Sequence, residues 1–201
     1  MQVGLDTFSI RELKLNGIKT LDWLKDHKFA GGLFGGLRSF SPELDLIELK
    51  EARAYADSLE LYTEISISNC NPHRVKQPLD EYREDVEKQI ELAAGCGWHE
   101  LHTAFGGGEE RYRDAVSWVD QLADAALFIR SLAPVLRAHE SRVNIETHGD
   151  VTTFELIRFI EDVGPDIAGI CLDTANLLCQ CENPNRAVRR AAPYVHMTHI
   201  K

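Results

Sequence analysis

The 201-residue sequence has no apolar run approaching the roughly 18 residues of a membrane span. Its first residues, MQVGLDTFSI, have no basic flank followed by a long apolar region. The expectation is a soluble cytoplasmic protein with no membrane partner. Positive charge is scarce: 22 Lys plus Arg stand against 32 Asp plus Glu, a net charge of -10. That balance opposes tight binding to nucleic-acid phosphates and anionic membrane surfaces, and favours a small-molecule partner. Paired cysteines at zinc-site spacing are absent too. Cys70, Cys96, Cys171, Cys179 and Cys181 form an odd set in a chain too large to need stapling, which favours reduced thiols. Cys179 and Cys181 are separated by one residue, not the two of common zinc sites, and no second pair accompanies them. Gly106, Gly107 and Gly108 have backbone N–H groups to offer a phosphate, but no Lys, Ser or Thr completes a phosphate-binding loop there, so loop flexibility is the expected purpose.

What the sequence has is alternation. Short β-branched or apolar runs, QVGLD, GGLFGG, LYTEISIS, HELHTAF, RVNIET, IAGICLD and YVHMTHI, are separated by longer stretches with helical spacing. Ser41 before Pro42 and Glu43 has the form of an N-cap with Pro at the first helical position, opening the second helix. The third helix ends at Gly95 or Gly97. The fourth is expected from Arg113 to about His139, broken or kinked at Pro134. Seven strands alternating with helices predict a parallel sheet with crossover helices, and the strand number favours a barrel over an open doubly wound sheet. With 44% apolar residues and no composition break, residues 1–201 read as a single domain. A complete barrel has eight strands and about 250 residues, so the eighth unit is missing and a fragment or early stop is expected. Strands one and seven would then be unpaired edges, which predicts self-association into a homo-oligomer.

Glu146, Asp173 and His199 each end a predicted strand, the fifth, sixth and seventh. In a barrel the C-terminal strand ends converge on one mouth, so the three can meet around one ion. Two carboxylates and an imidazole suit Mn²⁺, Mg²⁺, Co²⁺ or Zn²⁺ rather than a soft thiolate site. The competing reading makes Glu146 and Asp173 caps for the helices that follow and His199 an ordinary half-buried histidine. Asp6, Glu64 and His102 also lie near predicted strand ends. Glu64 and His102 are candidates for contacting a substrate hydroxyl, against the alternatives of an exposed strand carboxylate and a hydrogen-bonded core histidine. His196, three residues before His199, alternates out of phase with it and is expected to point away from the ion.

The segments NIETHGD, CLDTANLL and VHMTHIK resemble the metal-site segments of the xylose isomerase-like TIM barrels, the sugar phosphate isomerase/epimerase superfamily. The resemblance in strand and helix order covers the whole chain, and its specific motifs lie in residues 143–201. It implies a TIM (β/α)8-type barrel in which Glu146, Asp173 and His199 bind one divalent metal, with Glu146 also the catalytic acid/base. His199 and Lys201 match the family's His-x-Lys-Asp motif. Asn176 stands where the family often has a substrate-contacting His, and His148 where it often has a polar substrate contact. The second Glu that the family's epimerases bring from strand eight has no counterpart.

The function this implies is isomerisation or epimerisation of a small sugar, keto-sugar or polyol through an enediolate. A metal-dependent dehydratase of the inosose or dehydroshikimate type begins with the same proton abstraction. A non-catalytic truncated barrel is the reading from a different class. A DNA-repair enzyme resembling endonuclease IV would require more His and carboxylate ligands and a basic face, which the charge of -10 does not provide.

Overall fold

A computed structural model describes residues 2–113 and 115–201. Seven strands form one sheet in chain order, every neighbouring pair parallel: β1 Leu5–Asp6, β2 Gly31–Phe34, β3 Tyr62–Ser66, β4 Glu100–Thr103, β5 Arg142–Glu146, β6 Ala168–Asp173 and β7 Val195–His199. The helices on the outside are α1 Gly17–Asp26, α2 Leu46–Ser58, α3 Leu79–Gly95, α4 Trp118–Ser131, α5 Ala133–Ala138, α6 Thr153–Val163, α7 Asn176–Cys179 and α8 Pro184–Ala191. The sheet curls strongly, since the ring of His102 on β4 lies 5.3 Å from that of His199 on β7. It is an incomplete barrel of the (β/α)8 type. Among the described residues no ladder joins β1 to β7, and none of the helices is long and apolar enough to cross a membrane.

Helix α6 shows how the sequence builds one unit. The Thr152 side chain accepts the Glu155 N–H while the Glu155 carboxylate accepts the Thr152 N–H, a reciprocal cap of a kind worth about 1 kcal/mol. Leu156, Phe159, Ile160 and Val163 then fall on one face and are buried, each contributing roughly 1.5–3 kcal/mol relative to exposure. Gly164, with φ +117°, ends the helix in a conformation an L side chain rarely adopts. Glycine has a second purpose at the open side. A Cβ on Gly31 of β2 would run into the backbone and ring of Tyr62 on β3, so these strands approach as they do only because position 31 is bare.

The expected opening of the second helix at Ser41 is corrected by the structure. Asp45 is the N-cap of α2, its Oδ1 accepting the N–H groups of Ile47 at 2.8 Å and Glu48 at 3.0 Å. Ser41 acts one turn earlier: its Oγ accepts the Asp45 N–H at 2.8 Å and donates to Glu48 at 2.5 Å. Leu44, at φ +57°, interrupts any helix running on from Pro42. Helix four likewise starts at Trp118, capped by Ser117, and Pro134 sits at the start of a separate helix, α5. The short α7 was not predicted.

Burial ranks the strands. All six residues of β6 are buried and all of β5 but Arg142, while β1 has no buried residue and β7 only Met197. A cleft of about 700 Å³ opens between β1 and β7, with Gly4, Tyr62, Glu64 and Met197 among its walls. Between β6 and β7 the register slips: Ile170 pairs with Val195 but Cys171 with Met197, so His196 is an extra residue on β7. This bulge shifts the phase of β7 by one. Met197 therefore packs with Cys171 and Leu33 inside the barrel, and His199, opposite Asp173, follows it inward. His196 lies beside Arg142 instead, 2.8 Å from its Nη1.

Candidate metal centre

Glu146, Asp173 and His199 are brought together. Each offers a ligand atom within 4.8 Å of those of the other two. Their side chains are 10%, 0% and 9% exposed, so water screens them little. Asp173 is held by the turn that follows β6: its Oδ1 accepts the N–H groups of Ala175 at 2.9 Å and Asn176 at 3.1 Å. Thr147, directly after Glu146, fixes the same place from β5, because its Oγ1 accepts the Asp173 N–H at 2.8 Å and donates to the Asp173 carbonyl at 3.1 Å. The carboxylate is thus a cap with one oxygen and an ion-pair partner with the other. That second oxygen, Oδ2, forms an ion pair with Lys201, 2.5 Å from its Nζ.

Glu146 is gripped on both oxygens. His102 Nε2 is 3.2 Å from Oε2, Asn176 Nδ2 donates to Oε1 at 3.3 Å, and His199 Nδ1 stands 3.5 Å from Oε1. Burial opposes the charge on Glu146, but the imidazoles of His102 and His199 outweigh it and hold the carboxyl far below the usual range. The same pairing acts in reverse on His199, where burial disfavours the cation but the Glu146 carboxylate prevails and raises the pKa. Lys201 is raised in the same way: its burial cost is exceeded by the pairing with Asp173. Glu64 faces the interior from β3, raised by burial and pulled back only in part by His199 and His102. Six acidic and basic groups of the mouth, Glu64, His102, Glu146, Asp173, His199 and Lys201, are therefore electrostatically linked.

A second grouping, His102, Cys171 and His199, also lies within 4.8 Å. Burial, with Glu146 second, pushes the Cys171 thiol well above its ordinary range, so it stays protonated and is a poor ligand. His148 is half-buried beside the centre: its backbone N–H donates to the Glu146 carbonyl at 2.8 Å, and its Nδ1 is buried without a hydrogen-bond partner. Asp6 caps the turn after β1 by accepting the Phe8 N–H at 3.0 Å. The Gly106–Gly108 segment is tied down at Gly107, whose N–H donates at 2.8 Å to the buried Glu110, itself paired with Arg74 and Arg113. All five cysteines are free.

A profile of the "Xylose isomerase-like TIM barrel" family matches residues 21–201. The chain belongs to this family. Solved structures similar to this xylose isomerase-like barrel include a D-psicose 3-epimerase determined with D-fructose, 17% identical with a TM-score of 0.74. The match covers 90% of this chain and 66% of the epimerase. The probable 3-DHS dehydratase AsbF of Bacillus anthracis is 16% identical with a TM-score of 0.78, covering 99% of this chain and 72% of the dehydratase. At these identities the likeness shows the fold. A 3-oxo-isoapionate decarboxylase of Pectobacterium atrosepticum is 26% identical over 78 residues, 39% of this chain and 28% of the decarboxylase. The chain thus spans about two-thirds of the epimerase structure, and the matched stretch is well under half of the decarboxylase.

For this xylose isomerase-like barrel, sequence reasoning passed over Ser66 and Thr147. The Ser66 hydroxyl lies 2.9 Å from His102 Nδ1, and the register that pairs Ser66 with His102 puts them side by side. Alternation from Glu64 along β3 was the signal available, since residues two apart share a face.

Proposed function

We propose that the chain is a divalent-metal-dependent isomerase or epimerase of a small sugar, keto-sugar or sugar-like polyol, acting by proton transfer through an enediolate. The observation that carries this reading is the convergence of Glu146, Asp173 and His199, whose ligand atoms lie within 4.8 Å of one another in a buried place. Asp173 Oδ2 already meets a positive charge, the Lys201 ammonium at 2.5 Å, and both ring nitrogens of His199 are buried without a hydrogen-bond partner, a set that suits a cation. Mn²⁺, Mg²⁺, Co²⁺ and Zn²⁺ all accept such a mixed oxygen and nitrogen set. A bound divalent ion would polarise a substrate carbonyl and the hydroxyl beside it.

The remaining work falls to side chains. Glu146 is ionised throughout the neutral range and takes the proton from the carbon next to the carbonyl. Asn176 and Lys201 border the same space and can donate to substrate oxygens, as can His148 from the loop after β5; Glu64 can accept from a hydroxyl. The epimerases among the similar structures support a sugar substrate. Loss of a hydroxyl after the same proton abstraction would give a dehydratase, a reading supported by the fold shared with AsbF over 99% of the chain.

Calorimetric titration with Mn²⁺ tests the centre. One ion per chain is expected, with binding weakened at least about 10-fold in folded Glu146→Gln and Asp173→Asn variants. A folded wild-type chain that takes up no Mn²⁺ would overturn the assignment. With the metal established, ketoses incubated in D₂O should acquire deuterium at the carbon beside the carbonyl, whereas a rising ultraviolet band would select the dehydratase.

A further inference from the structure

Glu146 has two oxygens and, on the reading above, two duties, so something must decide which oxygen does what. On Oε2 the neighbour is His102 Nε2 at 3.2 Å; on the far side of the same ring, Nδ1 lies 2.9 Å from the Ser66 hydroxyl. Both ring nitrogens are thus engaged by protein atoms from adjacent strands, β3 and β5 flanking β4. Glu146 can only accept, so Nε2 must carry its hydrogen. A nitrogen that donates to a carboxylate has no lone pair for a metal, although His102 lies close enough to Cys171 and His199 to be grouped with them.

We propose that His102 is a positioning residue for Glu146: its Nε2–H clamps Oε2, Ser66 orients its ring, and Oε1, which accepts only the longer 3.3 Å bond from Asn176, is turned to the cation and the substrate proton. This rests on the metal-dependent reading of the same centre. It assigns Ser66 and His102 to one chain of hydrogen bonds, Ser66 to His102 to Glu146, whose product is a single carboxylate orientation. Oε1 is the oxygen beside His199, 3.5 Å from its Nδ1, as a ligand shared with His199 requires. Without the clamp the carboxylate can turn, Oε1 is no longer held beside His199, and the ion meets a less ordered set of ligands.

The two amides nearest in shape to histidine separate this role from simple packing. In Gln the amide nitrogen falls near the place of Nε2; in Asn it falls near Nδ1. Mn²⁺ titrations of His102→Gln, His102→Asn and Ser66→Ala, each shown to be folded by circular dichroism, should give binding within about threefold of wild type for Gln and about 10-fold weaker or more for Asn. Ser66→Ala should weaken binding in the wild-type background and add nothing on top of His102→Gln, because Ser66 acts only through the imidazole. Equal affinities for the Gln and Asn variants, or an undiminished Ser66→Ala effect in the Gln background, would overturn the proposal. Should the wild-type chain bind no Mn²⁺, the metal reading falls separately. The clamp is then decided by ¹⁵N NMR of the histidine side chains in the metal-free protein: a protonated His102 Nε2 supports it, and a bare one overturns it.

Discussion

Asp150 is the residue at which burial and charge conflict most openly. It is 0% exposed, and neither carboxylate oxygen has a hydrogen-bond partner among the described residues. Burial pushes its pKa up to about 6, with His148 and Arg74 opposing the rise and Glu110 adding to it. In the unfolded chain the same carboxyl titrates near 3.8. A folded pKa above the unfolded one means that the ionised form is better accommodated unfolded, so stability falls as pH rises from about 4 to about 6. Above that window the full cost applies, at most about 3 kcal/mol for a shift of this size. Asp150→Asn removes the titration. Its stability relative to wild type, from urea unfolding at a series of pH values, should be least near pH 4 and climb to a plateau above pH 6. A difference that does not change with pH would mean that Asp150 is not ionised against its burial. The neighbouring Cys70 thiol, also raised by burial, stays protonated across this range and adds nothing to the profile.

Elements were legible where apolar spacing and termini agreed, and less so where a cap signal stood before the wrong turn. SPE at 41–43 has the right residues for a helix start, yet the chain needs Leu44 at φ +57° and 5% exposure, and the helix begins after that turn. A side chain that must be buried decided the boundary, and a one-dimensional reading of caps has no access to it. Asp45→Ala should therefore cost about 1 kcal/mol of stability by thermal or urea unfolding, while Pro42→Ala should change it by less than about 0.5 kcal/mol. The reverse ranking would restore the helix start at Ser41. In β7 alternation held where it was applied: His196 turns away from His199, to lie beside Arg142. The bulge was not legible, because the extra residue opposite Ile170 and Cys171 is set by strand pairing and leaves no mark in the local sequence. Ser66 and Thr147 were missed for a related reason: small hydroxyl residues on strands are common, and only their partners, His102 and Asp173, show what they do.

At the scale of the whole molecule, two of the three strands that hold the candidate metal ligands, β5 and β6, are the best buried, and the third, β7, borders the open side. β5 and β6 lie mid-sheet, each paired on both sides, whereas β1 and β7 each pair on one side only among the described residues. The alternation of strands and helices made this architecture readable from sequence, because every crossover is a parallel unit of the same kind. An unpaired parallel edge is a row of unsatisfied N–H and C=O groups, and here two such rows face one cleft of about 700 Å³. Side chains beside it are apolar and exposed, Val3 at 60% and Ile200 at 78%, with little charge to repel a second strand. A 201-residue polypeptide studied alone should therefore self-associate through this side. Sedimentation velocity at about 5 and about 100 µM should show a concentration-dependent shift to larger species, which Val3→Lys together with Ile200→Lys should reverse, as charged edges do in natural sheets. The net charge of -10 opposes contact between copies, and since salt screens that repulsion, association should strengthen between low and physiological salt. A monomer at both concentrations and both salts would mean that the edges are already satisfied, and that the cleft is closed in solution.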